Sequence, residues 1–406
     1  MRILVVSNFY PPHFVGGYEW GCYGVVQALR SKGHDVYVLT STYGVERKCA
    51  RDRIYRLLEA DLMWGPQKSF SRFIKLLGQE IKNAAAFLFL AKYSHPDIVY
   101  IWNLTHVSVS IALRAQRMGF RLCYYVFDNW LAHWEKDPWY AFWNRNTPVV
   151  FKRLRSFLSL SPLRSLILAP LWGSLGIEYV QFASHYLERK ARENGKRPKH
   201  PTVIHWGIDP GRFPYNKSSR KPERLLYVGQ VVEHKGVHTA IEALKRILDK
   251  GKTHHTTLTI AGGTITPEYE LSLRRLVHTL GLEKNVRFLG FVSPEALPSL
   301  YNEHDILVFP SVWEEPFGIV LLEGMASGLA VVATGTGGSA EILDDEANAL
   351  IFPPGRSDLC AKQIIRLLDY PALFETLRSK GRQTVESRFN FRRTVERISE
   401  SLREAI

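Results

Sequence analysis

The stretch Glu314-Glu315-Pro316-Phe317-Gly318-Ile319-Val320-Leu321-Leu322-Glu323 carries two carboxylates, Glu315 and Glu323, eight residues apart. A helix beginning near Gly318 sets Glu323 about 7.5 Å along its axis, at ~1.5 Å per residue, with Glu315 just ahead of it. One carboxylate then stands at the mouth and the other deeper, serving opposite ends of an elongated ligand. An acceptor-only carboxylate suits the paired hydroxyls of a ribose. The N–H groups of Gly318, Ile319, Val320 and Leu321 at the helix start suit phosphate oxygens. The run Gly229-Gln230-Val231-Val232-Glu233-His234-Lys235-Gly236 also leads from a strand into a helix, and it aims the cation Lys235 at a position natural for a diphosphate. In a third loop, Pro11 to Glu19, Gly16 and Gly17 let an anion approach backbone N–H groups. Its Gly-Gly-x-x-x-Gly spacing, with a second strand ending in Thr40-Ser41-Thr42 rather than in an acid, is not a nicotinamide fingerprint.

Alternating strands and helices must position these loops. In the first half, strand Ile3–Ser7, helix Tyr18–Ser31 with Gly33 closing it, and strand Val36–Thr40 form a βαβ start. Strands Ile98–Trp102 and Arg121–Phe127 flank a helical pattern over Val107–Met118. Residues 130–175, aromatic and basic, break the rhythm as an insertion. The second half restarts with strand Leu225–Val228, helix Gly236–Lys250 and strands Leu258–Ala261 and Val286–Leu289. Helix Ser293–Glu303 follows, with Ser293 as N-cap and Pro294 at its first position. Strand Ile306–Phe309, helix Gly318–Ser327 and strand Ala330–Ala333 complete the run. The expected class is α/β, with two Rossmann-like domains, 1–208 and 209–387, facing across a cleft at the carboxyl ends of their sheets. The polar helical stretch 388–406 is expected to pack back toward the first domain.

A chain of 406 residues, 46% hydrophobic and 23% charged, is ordinary for folded proteins and too long for one core. No apolar run approaches the length of a bilayer span, and the first seven residues form a buried strand rather than a signal peptide. Cys22, Cys49, Cys123 and Cys360 lack metal-ligand spacing, which points to a reducing compartment and away from zinc. The net charge of +14 lies wholly in residues 1–208, with 28 Lys and Arg against 14 Asp and Glu; residues 209–406 hold 25 of each. Nine of the ten tryptophans share that half, with Trp130, Trp134, Trp139 and Trp143 clustered. Such a half fits an anionic partner, either membrane lipid or an acidic polymer. Nucleic acid is a poor match, because the basic residues are dispersed and no recognition module is visible. The alternative is solvated Lys and Arg around core tryptophans.

Together the Pro-Pro-His-x-x-Gly-Gly-x-Glu loop, Gly207-Ile208-Asp209 with Phe213, Lys235-Gly236, Glu315-x-Phe317-Gly318 with Glu323, and Gly337-Gly338-Ser339-Ala340-Glu341 resemble the retaining, nucleotide-sugar-dependent glycosyltransferases of the GT-B fold. The resemblance covers nearly the whole chain and is to family 4 (group 1), of bacterial envelope or exopolysaccharide type. It implies that Gly17 and Lys235 bind the donor diphosphate, with Gly16, Gly229 and Gln230 among the donor-binding residues. It also implies that Phe317 to Leu321 meet sugar and phosphates, that Glu323 binds ribose, and that Glu315 lies near the sugar. Relatives often carry Arg where this chain has Gln230, and His where it has Phe127. Asp128 is then the acceptor-side candidate, catalytic with Glu315 and Lys235, and His106 and His133 stand behind it. No Asp-x-Asp occurs, so no metal or other cofactor is expected. The expected activity is hexose transfer, from UDP-glucose or a related UDP-sugar, to a glycan or polyprenyl-linked acceptor. The expected place is the cytoplasm, with peripheral contact at the inner face of the membrane. A small soluble acceptor, or nucleotide-sugar binding without transfer, are the alternatives.

Overall fold

The computed structural model describes residues 1–46, 48–62, 70–144, 174–215, 222–251 and 255–406. Most of the 130–175 insertion lies outside the described residues. Two compact units form, one of Met1–Ile204 with Val395–Ile406, the other of His205–Thr394.

The first unit is built on strands β1 (Arg2–Ser7), β2 (Asp35–Ser41), β3 (Cys49–Arg51), β4 (Ile54–Leu58), β5 (Ile98–Asn103), β6 (Leu122–Val126), β7 (Tyr179–Phe182) and β8 (His200–Val203). They lie in the order β3-β4-β2-β1-β5-β6-β7-β8, parallel except for the edge pair β3 and β4. Central strands β5 and β6 are buried at every position, which is why they read as unbroken apolar runs. Helices α1 (Tyr18–Ser31), α2 (Phe70–Ser94), α3 (Ser110–Arg117), α4 (Pro138–Asn144) and α5 (His185–Glu193) connect them. Gly33, at φ 82°, ends α1 as its sequence position requires.

The second unit holds β9 (Arg224–Val228), β10 (Thr257–Ala261), β11 (Val286–Gly290), β12 (Ile306–Phe309), β13 (Ala330–Ala333) and β14 (Leu350–Ile351). Their order is β11-β10-β9-β12-β13-β14, all parallel. Helices α6 (Val237–Asp249), α7 (Pro267–Thr279), α8 (Leu297–Asn302), α9 (Ile319–Ser327), α10 (Ser357–Asp369) and α11 (Pro371–Arg388) complete it. The final helix, α12 (Phe391–Glu404), begins in this unit and ends in the first.

Two expectations need correction. Helix α8 does not start at Ser293: the backbone turns through 293–296, with the N–H groups of Ala296 and Leu297 both donating to the Ser293 carbonyl, and Ala296 is the N-cap. The tryptophans Trp130, Trp134 and Trp139 are buried, so they pack the core of the first unit rather than present a surface. The side chain of Trp143 lies outside the described residues.

Candidate functional site

In the second unit the strand order reverses between β9 and β12, and loops leaving adjacent strands in opposite directions open a crevice at their carboxyl ends. The β9 loop runs from Gly229 (φ 148°) through a 3-10 turn, Glu233–Lys235, to Gly236 (φ 69°). A Cβ on Gly236 would lie 2.1 Å from the Pro310 carbonyl oxygen, so glycine is required where the two loops cross. The β12 loop answers this contact, with Val312 N–H donating to the His234 carbonyl at 3.0 Å. The crossing delivers Lys235 Nζ to both oxygens of Glu315, at 2.8 and 2.7 Å, while Ser311 Oγ donates to Glu315 Oε1 at 2.6 Å. Glu315 is buried, and these bonds fix its carboxyl in place.

Gly318, at φ 136°, turns the chain into α9. The amide of Leu321 donates back to the Gly318 carbonyl at 3.1 Å, so this N–H is engaged within the first turn rather than open to phosphate. Ile319 and Val320 share that turn, with their side chains half-buried. Glu323 follows on α9 and accepts from Tyr301 Oη at 2.8 Å. Burial pushes its carboxyl up to about 7, although Tyr301 and the Arg212 charge pull the other way. Gly229 packs against Gly262, and the Tyr227 hydroxyl donates to the Gln230 carbonyl at 2.7 Å. The Gln230 side chain is half-buried.

The turn after β13 clamps this loop from the other side. Gly338 N–H donates to the Glu315 carbonyl at 2.6 Å, and Thr336 Oγ1 to the Trp313 carbonyl at 2.7 Å. Glu341, at the end of that turn, pairs with His205 Nε2 at 2.8 Å, and the His205 ring stacks on Phe317 with centroids 5.9 Å apart. Tyr301, Ser311 and His205 gave no signal in the sequence. Glu341 stood in a quoted motif without a role.

In the first unit the order reverses between β1 and β5, and the residues there form a second group. Asp128 accepts from Asn103 Nδ2 and from Trp130 N–H, each at 2.8 Å. Burial holds its carboxyl above the usual range. Glu19, fully buried, accepts from Val15 N–H at 3.0 Å and from Gly16 N–H at 3.2 and 3.1 Å. The loop that looked open to an anion therefore already caps a carboxyl of its own. Burial raises the Glu19 pKa, and the Asp128 charge adds to the rise. Gly17 is the N-cap of α1, and the Tyr18 hydroxyl beside it bonds Asn8. His106 sits at φ 73° with Nδ1 on the Asp61 carbonyl at 2.9 Å. His133 is exposed in a 3-10 turn, Leu131–Lys136, where partial desolvation and Lys136 lower its pKa.

Residues 15–212 match the family described as Glycosyltransferase Family 4, and residues 212–384 match Glycosyl transferases group 1. The uncharacterized glycosyltransferase MJ1607 of Methanocaldococcus jannaschii is 27% identical over 96% of this chain and 95% of its own length. Glycogen synthase of Mycobacterium tuberculosis is likewise 27% identical, over 96% and 92%. Among solved structures, sucrose-phosphate synthase of Thermosynechococcus elongatus superposes with a TM-score of 0.72 at 20% identity, covering 99% of this chain and 98% of that one. Anabaena Alr3699/HepE, in complex with UDP and glucose, gives 0.69 at 20% identity with both chains fully covered. At that identity the structures establish the fold. The two family matches meet at Arg212 and together run from residue 15 to residue 384, so the chain belongs to the GT-B glycosyltransferases of family 4, group 1.

Proposed function

We propose that the protein is a retaining hexosyltransferase that moves a hexose from a UDP-sugar, UDP-glucose in the first instance, to a glycan or polyprenyl-linked acceptor in cell-envelope or exopolysaccharide synthesis. The observation that carries this reading is the convergence of the Lys235 ammonium and the N-terminus of α9 on one crevice, two positive elements where a departing diphosphate gathers charge. The choice of UDP rests on the Anabaena fold neighbour, which was solved with UDP and with UDP-glucose. In this reading the anomeric C–O bond to the diphosphate breaks as the acceptor oxygen bonds the same face of the sugar. Glu315 offsets the positive charge that develops on the sugar, and Glu323 accepts from the ribose hydroxyls. Asp128 orients the acceptor hydroxyl. With Lys235 and the helix terminus answering the diphosphate, and no Asp-x-Asp in the sequence, turnover is proposed to need no metal.

The test is early-time proton NMR of the full chain with UDP-, GDP- and ADP-sugars, with and without a chelator. Consumption of a UDP-hexose with α-sugar appearing before mutarotation, unchanged by the chelator, is the expected result. Donor broadening without consumption, even when glycan acceptors are added, would overturn transfer in favour of binding alone. Release of β-sugar would overturn retention, and loss of turnover to the chelator would overturn metal independence.

A further inference from the structure

Helix α2 carries large apolar side chains on both faces, and Phe73, Leu76, Phe87 and Leu90 form its buried side. Its polar side chains Gln79, Glu80 and Asn83 are buried. Gln79 Nε2 donates to the Glu59 and His106 carbonyls at 3.0 and 2.8 Å, and Asn83 Nδ2 to those of Glu59 and Val107 at 3.0 and 2.9 Å. A second set of large apolar side chains points outward: Ile74, Ile81, Phe89 and Tyr93 are 50%, 38%, 56% and 59% exposed. At 100° per residue these four fall within one side of the helix, along about 28 Å of its length. Folding of the unit does not require them there, since the opposite face makes the core contacts. Such a stripe on a soluble face marks a contact site.

The charges on the same helix say which contact. Lys75, Lys82 and Lys92 are all exposed beside the stripe, and the one acidic residue of α2, Glu80, is turned into the core. Lys75 and Lys82 have partners in Asp61 and Glu59, at 3.3 and 2.7 Å, yet both side chains remain more than half exposed. At one end Phe89 stacks on Tyr93 with ring centres 6.1 Å apart, and Tyr93 lies 6.1 and 6.2 Å from Tyr37 and Tyr55, with Arg53 over the Tyr37 ring. Apolar anchors, tyrosines and cations without an exposed acid are the composition of a helix lying in a bilayer interface. A second copy of this chain meeting the same face would set lysine against lysine. A span is excluded for α2 by Arg72, Lys75, Glu80, Lys82 and Lys92 within it, and no helix among the described residues is long and apolar enough to cross a membrane.

We propose that the outward face of α2 is the surface through which this protein lies on an anionic lipid bilayer. The surplus positive charge of the first half acts with it, each well-placed cation strengthening binding about fivefold. The proposal needs neither donor nor acceptor, so it stands or falls apart from the transfer reaction.

The full chain would be sedimented with phosphatidylcholine vesicles that contain or lack phosphatidylglycerol. The expected result is binding only with phosphatidylglycerol, weakening as salt rises. The double variant Ile81→Glu/Phe89→Glu is expected to lose at least tenfold in affinity while donor hydrolysis without vesicles stays unchanged. If that variant fails to fold, the single variant Lys92→Glu is expected to lose several-fold, against no change for Lys284→Glu, an exposed lysine of the second unit. No binding of the wild type, equal binding of the variants, or equal loss with Lys284→Glu would overturn the proposal. A wild-type dimer that Ile81→Glu/Phe89→Glu converts to monomer, with vesicle binding unaltered, would assign the face to a second copy instead.

Discussion

Lys235 Nζ stands 2.8 and 2.7 Å from the two carboxylate oxygens of Glu315, although eighty residues separate them in the chain. Each holds the other in place: the Lys235 ammonium and the buried Glu315 carboxyl are fixed by the same pair of bonds. The two partners therefore respond differently to removal. Lys235→Ala leaves a buried charge with Ser311 alone and should lower stability by about 3 kcal/mol. It should also lower kcat/KM by about 100-fold or more, since in the proposed reaction Lys235 is the cation that meets the diphosphate. Glu315→Gln keeps a hydrogen-bond acceptor for Ser311 and Lys235, so it should melt near wild type and bind UDP within a few-fold, while kcat falls at least ~100-fold. Calorimetric UDP binding beside initial rates checks this. Equal kcat in Glu315→Gln would remove Glu315 from the chemistry.

The chain Glu341, His205, Phe317 predicts a positioning effect. Glu341 orients the His205 ring, and that ring lies flat on Phe317 beside the Glu315 backbone. His205→Ala removes both the pairing and the stack and should reduce kcat about tenfold, with UDP affinity little changed. His205→Phe keeps the stack and should restore most of the rate. If Phe fails while His205→Gln succeeds, the hydrogen bond rather than the stack does the positioning.

Strands Ile306–Phe309 and Ala330–Ala333 were legible to the residue, because strands covered on both faces are unbroken apolar runs, here bounded by Asp305 and Pro310 and by the Gly328 turn and Thr334. The Lys235 and Glu315 loops were legible as glycine-bearing strand-to-helix turns. Their pairing was not, since it depends on β9 and β12 being neighbours at a point where the strand order reverses. Helix α2 escaped for a different reason: with Gln79, Glu80 and Asn83 among its inward residues and Ile81 and Phe89 outward, apolar side chains stand on both faces and blur the contrast that signals a core-facing helix. Ser293-Pro294 misled in turn, because a cap-like pair also suits the open turn that precedes α8.

Glu323 predicts a pH dependence of donor binding. Its carboxyl is pushed up to about 7 by burial beside Tyr301, and in the proposed donor site it accepts from both ribose hydroxyls better when ionised, since protonation turns one of its oxygens into a donor. UDP affinity should therefore rise as pH increases through about 7 and level off above it. Glu323→Gln should bind UDP weakly and flatten that part of the profile. A wild-type profile flat from pH 6 to 8 would show that Glu323 does not bear on the nucleotide.

Glu80 predicts a stability profile of opposite slope. It is buried with Asp137, Ser108, Ser110 and Arg114 around it, and Asp61 and His106 line the same cavity of about 10 Å³, room for a single water. Burial, reinforced by Asp137, raises Glu80 to about 8, and burial raises Asp137 to about 6. A carboxyl whose folded pKa lies above its unfolded value binds more protons in the native state, so stability falls as pH rises between the two values. For Glu80 that window runs from 4.5 to about 8. Glu80→Gln still accepts from Ser110 but has no proton to lose. The two proteins should melt together near pH 4.5, and the variant should become the more stable by a few kcal/mol as pH approaches 8. Histidines that titrate in the same range are common to both and cancel in the difference. Melting curves at half-unit pH steps test this, and a gap that stays constant with pH would mean that Glu80 is ionised throughout, held so by Arg114.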